Sequence, residues 1–123
     1  MTAASYDFAL LESLGAKPGH FDAGEKIFLA EEPASAMYIV RRGRVDVITF
    51  GTVLENVGPG GMFGEMALID GGERSAAAMA VEPTEVMSID RGVFLALVRH
   101  DPDFAMSVMR VLTQRIRRMN DQV

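Results

Sequence analysis

The stretch GPGGMFGEMALIDGGERSAA, residues 58–77, decides how this chain is read. Ahead of it, Val53, Leu54 and Val57 are apolar among turn signals and predict a strand. Gly58, Pro59, Gly60 and Gly61 break that strand. Gly64 has no side chain, so another group can approach its backbone closely. Glu65 to Ile69 predict about one helical turn, stopped by Asp70, Gly71 and Gly72. The first amides of such a turn have no partner inside the helix and suit an anion. Arg74 returns to the same place, and its planar fork matches two phosphate oxygens at once. Ser75 adds a hydroxyl and a further amide. Glu65 is unsuited to a phosphate and is better used as an acceptor for sugar hydroxyls. The ligand implied carries one phosphate with a vicinal hydroxyl beside it.

The rest of the chain reads outward from this stretch. Ser5 to Leu14 has Phe8, Leu11 and Leu14 on one helical face, with Gly15 as a stop. From Pro18 the period changes: His20 to Phe28 reads as strand, turn, strand. Met37 to Val40 and Val45 to Ile48 are strands joined by a turn at Arg42 and Gly43. Val45 and Val47 point to one face because strand side chains alternate. Phe50, Gly51 and Thr52 make a tight reversal into Val53 to Val57. Ala76 to Val81 and Glu85 to Ile89 are the closing strands. Asp90 caps a helix to about His100, with Val93, Phe94, Leu97 and Val98 as its apolar face. Asp101 and Pro102 start a final helix. That helix has one stripe of Phe104, Val108 and Val111. A second, of Ala105, Met109, Leu112, Ile116, Met119 and Val123, has the spacing of a coiled-coil seam. One broad face covering the sheets is the alternative reading.

At 123 residues and 49% hydrophobic content, the chain is one globular domain with a real core. No apolar run reaches the length of a membrane span. MTAASYDFALLESLG lacks the basic start and long apolar stretch of a signal peptide, and the start favours a complete small protein. The absence of cysteine removes disulfides and thiolate metal sites and agrees with a cytoplasmic location. A net charge of −5 argues against a nucleic-acid surface. Arg110, Arg115, Arg117 and Arg118 read as a solvated helix face. A dinucleotide fingerprint fails because Phe63 stands at the third glycine position. No Gly-Lys-Ser/Thr is present for a P-loop. His20 and His100 lack ligand spacing, so no metal site is expected. Asp70, Glu73 and Glu65 do not have calcium-loop spacing. No nucleophile–base pair can be named, and no enzymatic activity is expected.

Phe63-Gly64-Glu65-Met66-Ala67-Leu68 followed by Arg74-Ser75-Ala76 resembles the phosphate-binding cassette of the cyclic nucleotide-binding domain family. Gly24-Glu25 before Ile27-Phe28, and Tyr38, Ile39, Gly43 and Val45, carry the same resemblance. Glu31 departs from it, standing where a glycine is expected, and a different turn shape is anticipated there. The resemblance implies an eight-stranded jelly-roll-like barrel with an N-terminal helix, a cassette helix and two C-terminal helices. Residues 1–123 form a single domain: N-terminal helix 1–16, barrel 17–89 carrying the cassette 58–77, and hinge and lid helices 90–123.

The resemblance further implies that Glu65 takes the ribose 2′-hydroxyl and Arg74 the cyclic phosphate. Gly64, the amides near Met66 and Ala67, and Ser75 and Ala76 complete the cradle. Val45, Leu54, Val57, Met62 and Phe63 would wall the base pocket, although for Leu54 and Val57 this is hard to separate from barrel core. By register from Arg74, Met119 and Asn120 would cover the base, with Arg115 and Arg118 as further candidates. Ser75 stands where a threonine favours cyclic GMP, so cyclic AMP is expected as ligand, with cyclic GMP the alternative. The expected function is a cyclic nucleotide receptor that signals by moving its C-terminal helices. A protein effector and a homodimer through the C-terminal helix are the expected partners. Direct DNA binding is not expected, since the net charge is negative. The competing reading is a degenerate fold that serves as an interaction or dimerisation module without ligand.

Overall fold

The computed structural model describes residues 7–121, with side chains through residue 118. Asp7 opens α1 (Phe8–Ser13) by accepting a hydrogen bond from the Leu10 amide; Ser5 and Tyr6 lie outside the described residues. Strands β1 (Lys17–Phe21), β2 (Lys26–Phe28), β3 (Ala36–Arg42), β4 (Val45–Thr49), β5 (Thr52–Val57) and β6 (Met62–Phe63) follow. Then come α2 (Glu65–Asp70), β7 (Ala77–Ala80), β8 (Thr84–Asp90), α3 (Arg91–His100) and α4 (Pro102–Asp121). The caps act locally as their chemistry dictates. The Asp90 carboxylate accepts from the Val93 amide, and the Asp101 carboxylate accepts from the Asp103 amide. Gly71 ends α2 in a left-handed conformation.

The expected barrel is not formed. The strands make two separate antiparallel four-stranded sheets, in the orders β1-β8-β3-β6 and β2-β7-β4-β5. No ladder joins one sheet to the other among the described residues. Closing a barrel requires hydrogen bonding to continue around every edge. Here the edge strand β6 has two residues, and the left-handed turn at Gly64 (φ 79°) ends it before it can pair further. The edge between β6 and β5 therefore stays open.

Alternation along the strands divides the interior in two. In β3, Met37 and Ile39 point to one face and Tyr38 and Val40 to the other. Met87 and Ile89 of β8 join Met37, Ile39 and Met62 against Leu11, Leu68, Val93, Leu97, Phe104 and Val108 of the four helices. On the opposite face, Val40, Phe63 and Val86 pack against Val45, Val57 and Ala78 of the second sheet. The β1-β8-β3-β6 sheet is thus the middle layer, with helices on one side and the second sheet on the other. Phe104 and Val108 bury the first stripe of α4, whereas Met109 and Ile116 of the second stripe are exposed.

Two residues other than glycine have positive φ. Phe50 (φ 49°) and Gly51 (φ 76°) form the two-residue reversal between β4 and β5, whose twist requires left-handed residues. Glu31 has φ 70°, a conformation that the glycine expected there would reach without steric cost.

Candidate functional site

The residues of the cassette converge on a cavity of about 330 Å³ at the open edge between the sheets. This is a size that takes a small ligand. Arg74 is 6% exposed and held from several directions. Its Nη1 donates to the Gly64 carbonyl (2.8 Å) and its Nη2 to the Ala36 carbonyl (2.7 Å). The guanidinium lies 4.0 Å from the Phe28 ring centroid and 5.6 Å from that of Tyr38, a cation–π arrangement on a small aromatic cluster with Phe63. Its backbone is clamped as well: the Glu31 amide donates to the Arg74 carbonyl (2.8 Å), and the Arg74 amide donates to the Glu32 carbonyl (2.9 Å). Burial lowers the pKa of this guanidinium, opposed by Tyr38 and Glu32, and it stays a cation at neutral pH.

Gly64 fits because a side chain would not. A Cβ built there would stand 2.6 Å from Arg74 Nη1 and 3.4 Å from the Phe28 ring. Next to it, Glu65 is completely buried, and neither of its carboxylate oxygens accepts a hydrogen bond from the described residues. Its charge is met by an ion pair with Arg115, which reaches in from α4. Burial of this pair carries a desolvation cost that the attraction between the two charges offsets.

Arg115 links three elements. Besides Glu65 at the start of α2, its Nε and Nη2 donate to the Glu55 carboxylate on β5 (3.2 Å each), and Nη2 donates to the Met62 carbonyl on β6 (3.1 Å). Arg118, one turn on, donates to Glu55 at 3.1 Å. Burial raises the pKa of Glu55, but hydrogen bonds and charge from Arg115 and then Arg118 outweigh it, and the carboxyl ends below its ordinary value. Side chains of α4 thereby bridge the edge that the backbone leaves open.

The cavity brings together Gly64, Glu65, Met66, Ala67, Arg74, Ser75 and Ala76, the whole expected cradle. Of the expected base-pocket wall, Leu54 and Phe63 border the cavity. Val45, Val57 and Met62 do not, and their assignment is corrected. Val45 and Val57 are buried in the core between the sheets. Met62, adjacent to Phe63 in a strand, points the opposite way into the helix-side core. The side chains of Met119 and Asn120 lie outside the described residues. Sequence reasoning missed Phe28, Val47, Thr49 and Glu55, which also line the cavity. Val47 could have been found from the alternation of β4, whereas Glu55 carries no such local signal in the mixed strand TVLENV. Arg115 and Arg118, rated below Met119 and Asn120, are in the wall. Among the described residues, no group of three or more His, Cys, Asp or Glu could hold a metal ion, and no helix is long and apolar enough to cross a membrane.

A family model described as a cyclic nucleotide-binding domain matches residues 18–101. The Cyclic AMP receptor protein of Thermus thermophilus is 38% identical over 102 residues, covering 79% of this chain and 47% of the relative. The crystal structure of the Thermus thermophilus Catabolite Activator Protein superposes with a TM-score of 0.80 at 36% identity, covering 92% of this chain and 55% of that one. A structure from work on a cyclic-GMP-dependent signalling pathway that regulates bacterial phytopathogenesis has a TM-score of 0.77 at 27% identity, covering 94% and 96%. The chain spans about half the length of these curated relatives. The first of these are a receptor and transcriptional regulators by name.

Proposed function

This chain belongs to the cyclic nucleotide-binding domain family, and from that premise we propose that it is a receptor for cyclic AMP or cyclic GMP which signals through its C-terminal helices. The observation that carries the proposal is Glu65: a fully buried carboxylate, paired with Arg115 of α4, on the wall of a ligand-sized cavity beside Arg74. A carboxylate has further acceptor positions beyond that pair, and a ribose 2′-hydroxyl is a donor that suits them. The cyclic phosphate would lie at Gly64, Ser75 and the α2 amides, beside the preorganised charge of Arg74. Kinship leaves the base open, since one relative is a cyclic AMP receptor and another structure comes from a cyclic-GMP-dependent pathway.

The route from ligand to helix runs through Arg115. A ribose hydroxyl that takes Glu65 competes with the Arg115 guanidinium for the same carboxylate. Loss of that anchor changes how α4 is held against β5 and β6, so ligand and helix position are coupled by differential contacts. The exposed Met109 and Ile116 on α4 give the moving helix an apolar stripe for a second copy or an effector protein.

Calorimetric titration with cyclic AMP and cyclic GMP, with 5′-AMP as control, tests the proposal. Saturable binding of a cyclic nucleotide and not of 5′-AMP is expected. Glu65→Gln should weaken that binding while losing the difference between a ribonucleotide and its 2′-deoxy analogue. One observation favours a second reading, a ligand-free interaction module: Arg115 already satisfies the charge of Glu65 from within the chain. Absence of binding by every cyclic nucleotide, in folded protein freed of copurified ligand, selects that reading.

A further inference from the structure

The cavity wall is polar at two places, and the proposed function uses only one of them. Arg74, Gly64, Ser75 and Glu65 account for a phosphate and its sugar. Val47, Thr49 and Leu54 form another part of the wall, together with Glu55, Arg115 and Arg118. If the sugar lies at Glu65, this is where the base goes. Apolar side chains there suit the faces of a purine, and the charged trio suits its edge.

The two purines present different edges. Adenine offers one amino donor between two ring acceptors. Guanine offers two adjacent donors, N1–H and the 2-amino group, and two adjacent acceptors, O6 and N7. A carboxylate presents two parallel acceptors and matches the paired donors of guanine bidentately, as it matches an arginine. Arginine, in turn, is the common bidentate partner of O6 and N7. Glu55 is ionised and already held in place by hydrogen bonds from both arginines, so an acceptor pair and a donor pair lie side by side. Adenine would satisfy one acceptor position of Glu55 and leave the other facing a ring nitrogen.

On these grounds, and resting on the receptor reading above, we infer that Glu55 with Arg115 and Arg118 forms a base-reading triad that selects guanine, making cyclic GMP the preferred ligand. Arg115 spans Glu55 and Glu65. A nucleotide whose ribose takes Glu65 and whose base takes Glu55 replaces the two carboxylate anchors of Arg115 and frees its guanidinium toward O6 and N7, while the Met62 carbonyl keeps Arg115 at the site and Arg118 keeps Glu55 in place. This outweighs the lean to cyclic AMP drawn from Ser75, whose hydroxyl serves either nucleotide.

The test is a comparison of cyclic GMP, cyclic AMP and cyclic IMP on the parent protein by calorimetry. Cyclic IMP keeps N1–H and O6 but lacks the 2-amino donor. Cyclic GMP should bind about tenfold or more tightly than either, the effect of one hydrogen bond to a charged group. Glu55→Gln, which keeps the side-chain shape, should bring the ratio of cyclic GMP to cyclic AMP affinity close to one. Cyclic AMP binding as tightly as cyclic GMP, cyclic IMP equalling cyclic GMP, or a ratio unchanged in Glu55→Gln would each overturn the triad while leaving the receptor reading intact. Binding of none of the three would overturn the receptor reading and the triad with it. The three-ligand comparison needs no variant, so poor folding of Glu55→Gln would not remove the test.

Discussion

Replacing Gly64 by alanine probes the cradle at its tightest point. Two costs add. The first is conformational: a φ of 79° is left-handed, which costs a residue with a Cβ about 1–2 kcal/mol. The unfolded chain returns part of this, about 0.4–1 kcal/mol, because alanine has less freedom to lose. The second is steric. The new Cβ would stand 2.6 Å from Arg74 Nη1, against an ordinary contact of about 3.5 Å. The guanidinium must move by most of an ångström, and the Phe28 ring, 4.0 Å away, limits its retreat. That movement breaks the 2.8 Å bond to the Gly64 carbonyl, and hydrogen bonds from charged groups are worth about 1.5–3 kcal/mol. The sum is about 2–4 kcal/mol of stability, a fall in Tm of roughly 6–15 °C for a domain of this size. Ligand affinity should fall about tenfold or more, because the phosphate partner is displaced. Gly51→Ala is the control: its φ is 76°, but nothing lies within 4 Å of its Cβ. Differential scanning calorimetry and ligand titration of both variants decide the matter. Equal losses of Tm in the two, with parental affinity in Gly64→Ala, would refute the account of Arg74 as a guanidinium wedged against Gly64.

Arg74→Ala should weaken cyclic nucleotide binding by about 2–5 kcal/mol, as for loss of a buried charge partner; unchanged affinity in titration would remove its phosphate role. Glu31→Gly should raise the unfolding free energy by about 0.5–1 kcal/mol, since glycine accepts φ 70° without strain but carries more unfolded-state entropy. Denaturant melts check this, and a destabilised variant would mean that the Glu31 side chain makes a compensating contact. Glu55 has a depressed pKa in the folded protein. Its contribution is therefore complete above the ordinary carboxyl value, about 4.3, and is lost as pH falls through and below it. The stability advantage of the parent over Glu55→Gln should be flat from pH 7 to about 5 and shrink in more acid solution; an advantage growing with acid would contradict the Arg115 and Arg118 pairing.

Much of the architecture could be read locally. Asp90 and Asp101 announce their helices through their own hydrogen bonds, and the alternation in Met37–Val40 and Val86–Ile89 assigns faces without knowledge of partners. The cassette was legible for the same reason, because Gly64, Glu65, Arg74 and Ser75 lie in one short span. What could not be read depends on distance along the chain. Whether two sheet edges meet is settled by strands far apart, so the barrel expected from resemblance gave way to two open sheets. Glu55 and Arg115 are 60 positions apart, and neither has a local signal for the other. Arg115 looked like part of a solvated helix face, and only the packing of α4 across β5 and β6 turns it inward.

The middle sheet also separates two design problems. Its odd-numbered β3 side chains, Met37 and Ile39, seat the helices, while Tyr38 and Val40 face the second sheet. Substitutions on the first set change how firmly the helices are held without touching a wall of the cavity. Phe28 and Phe63 reshape the receptor side without entering the helix core. Under the receptor reading proposed above, threshold and gain would be set by different residues, so each could be engineered without disturbing the other.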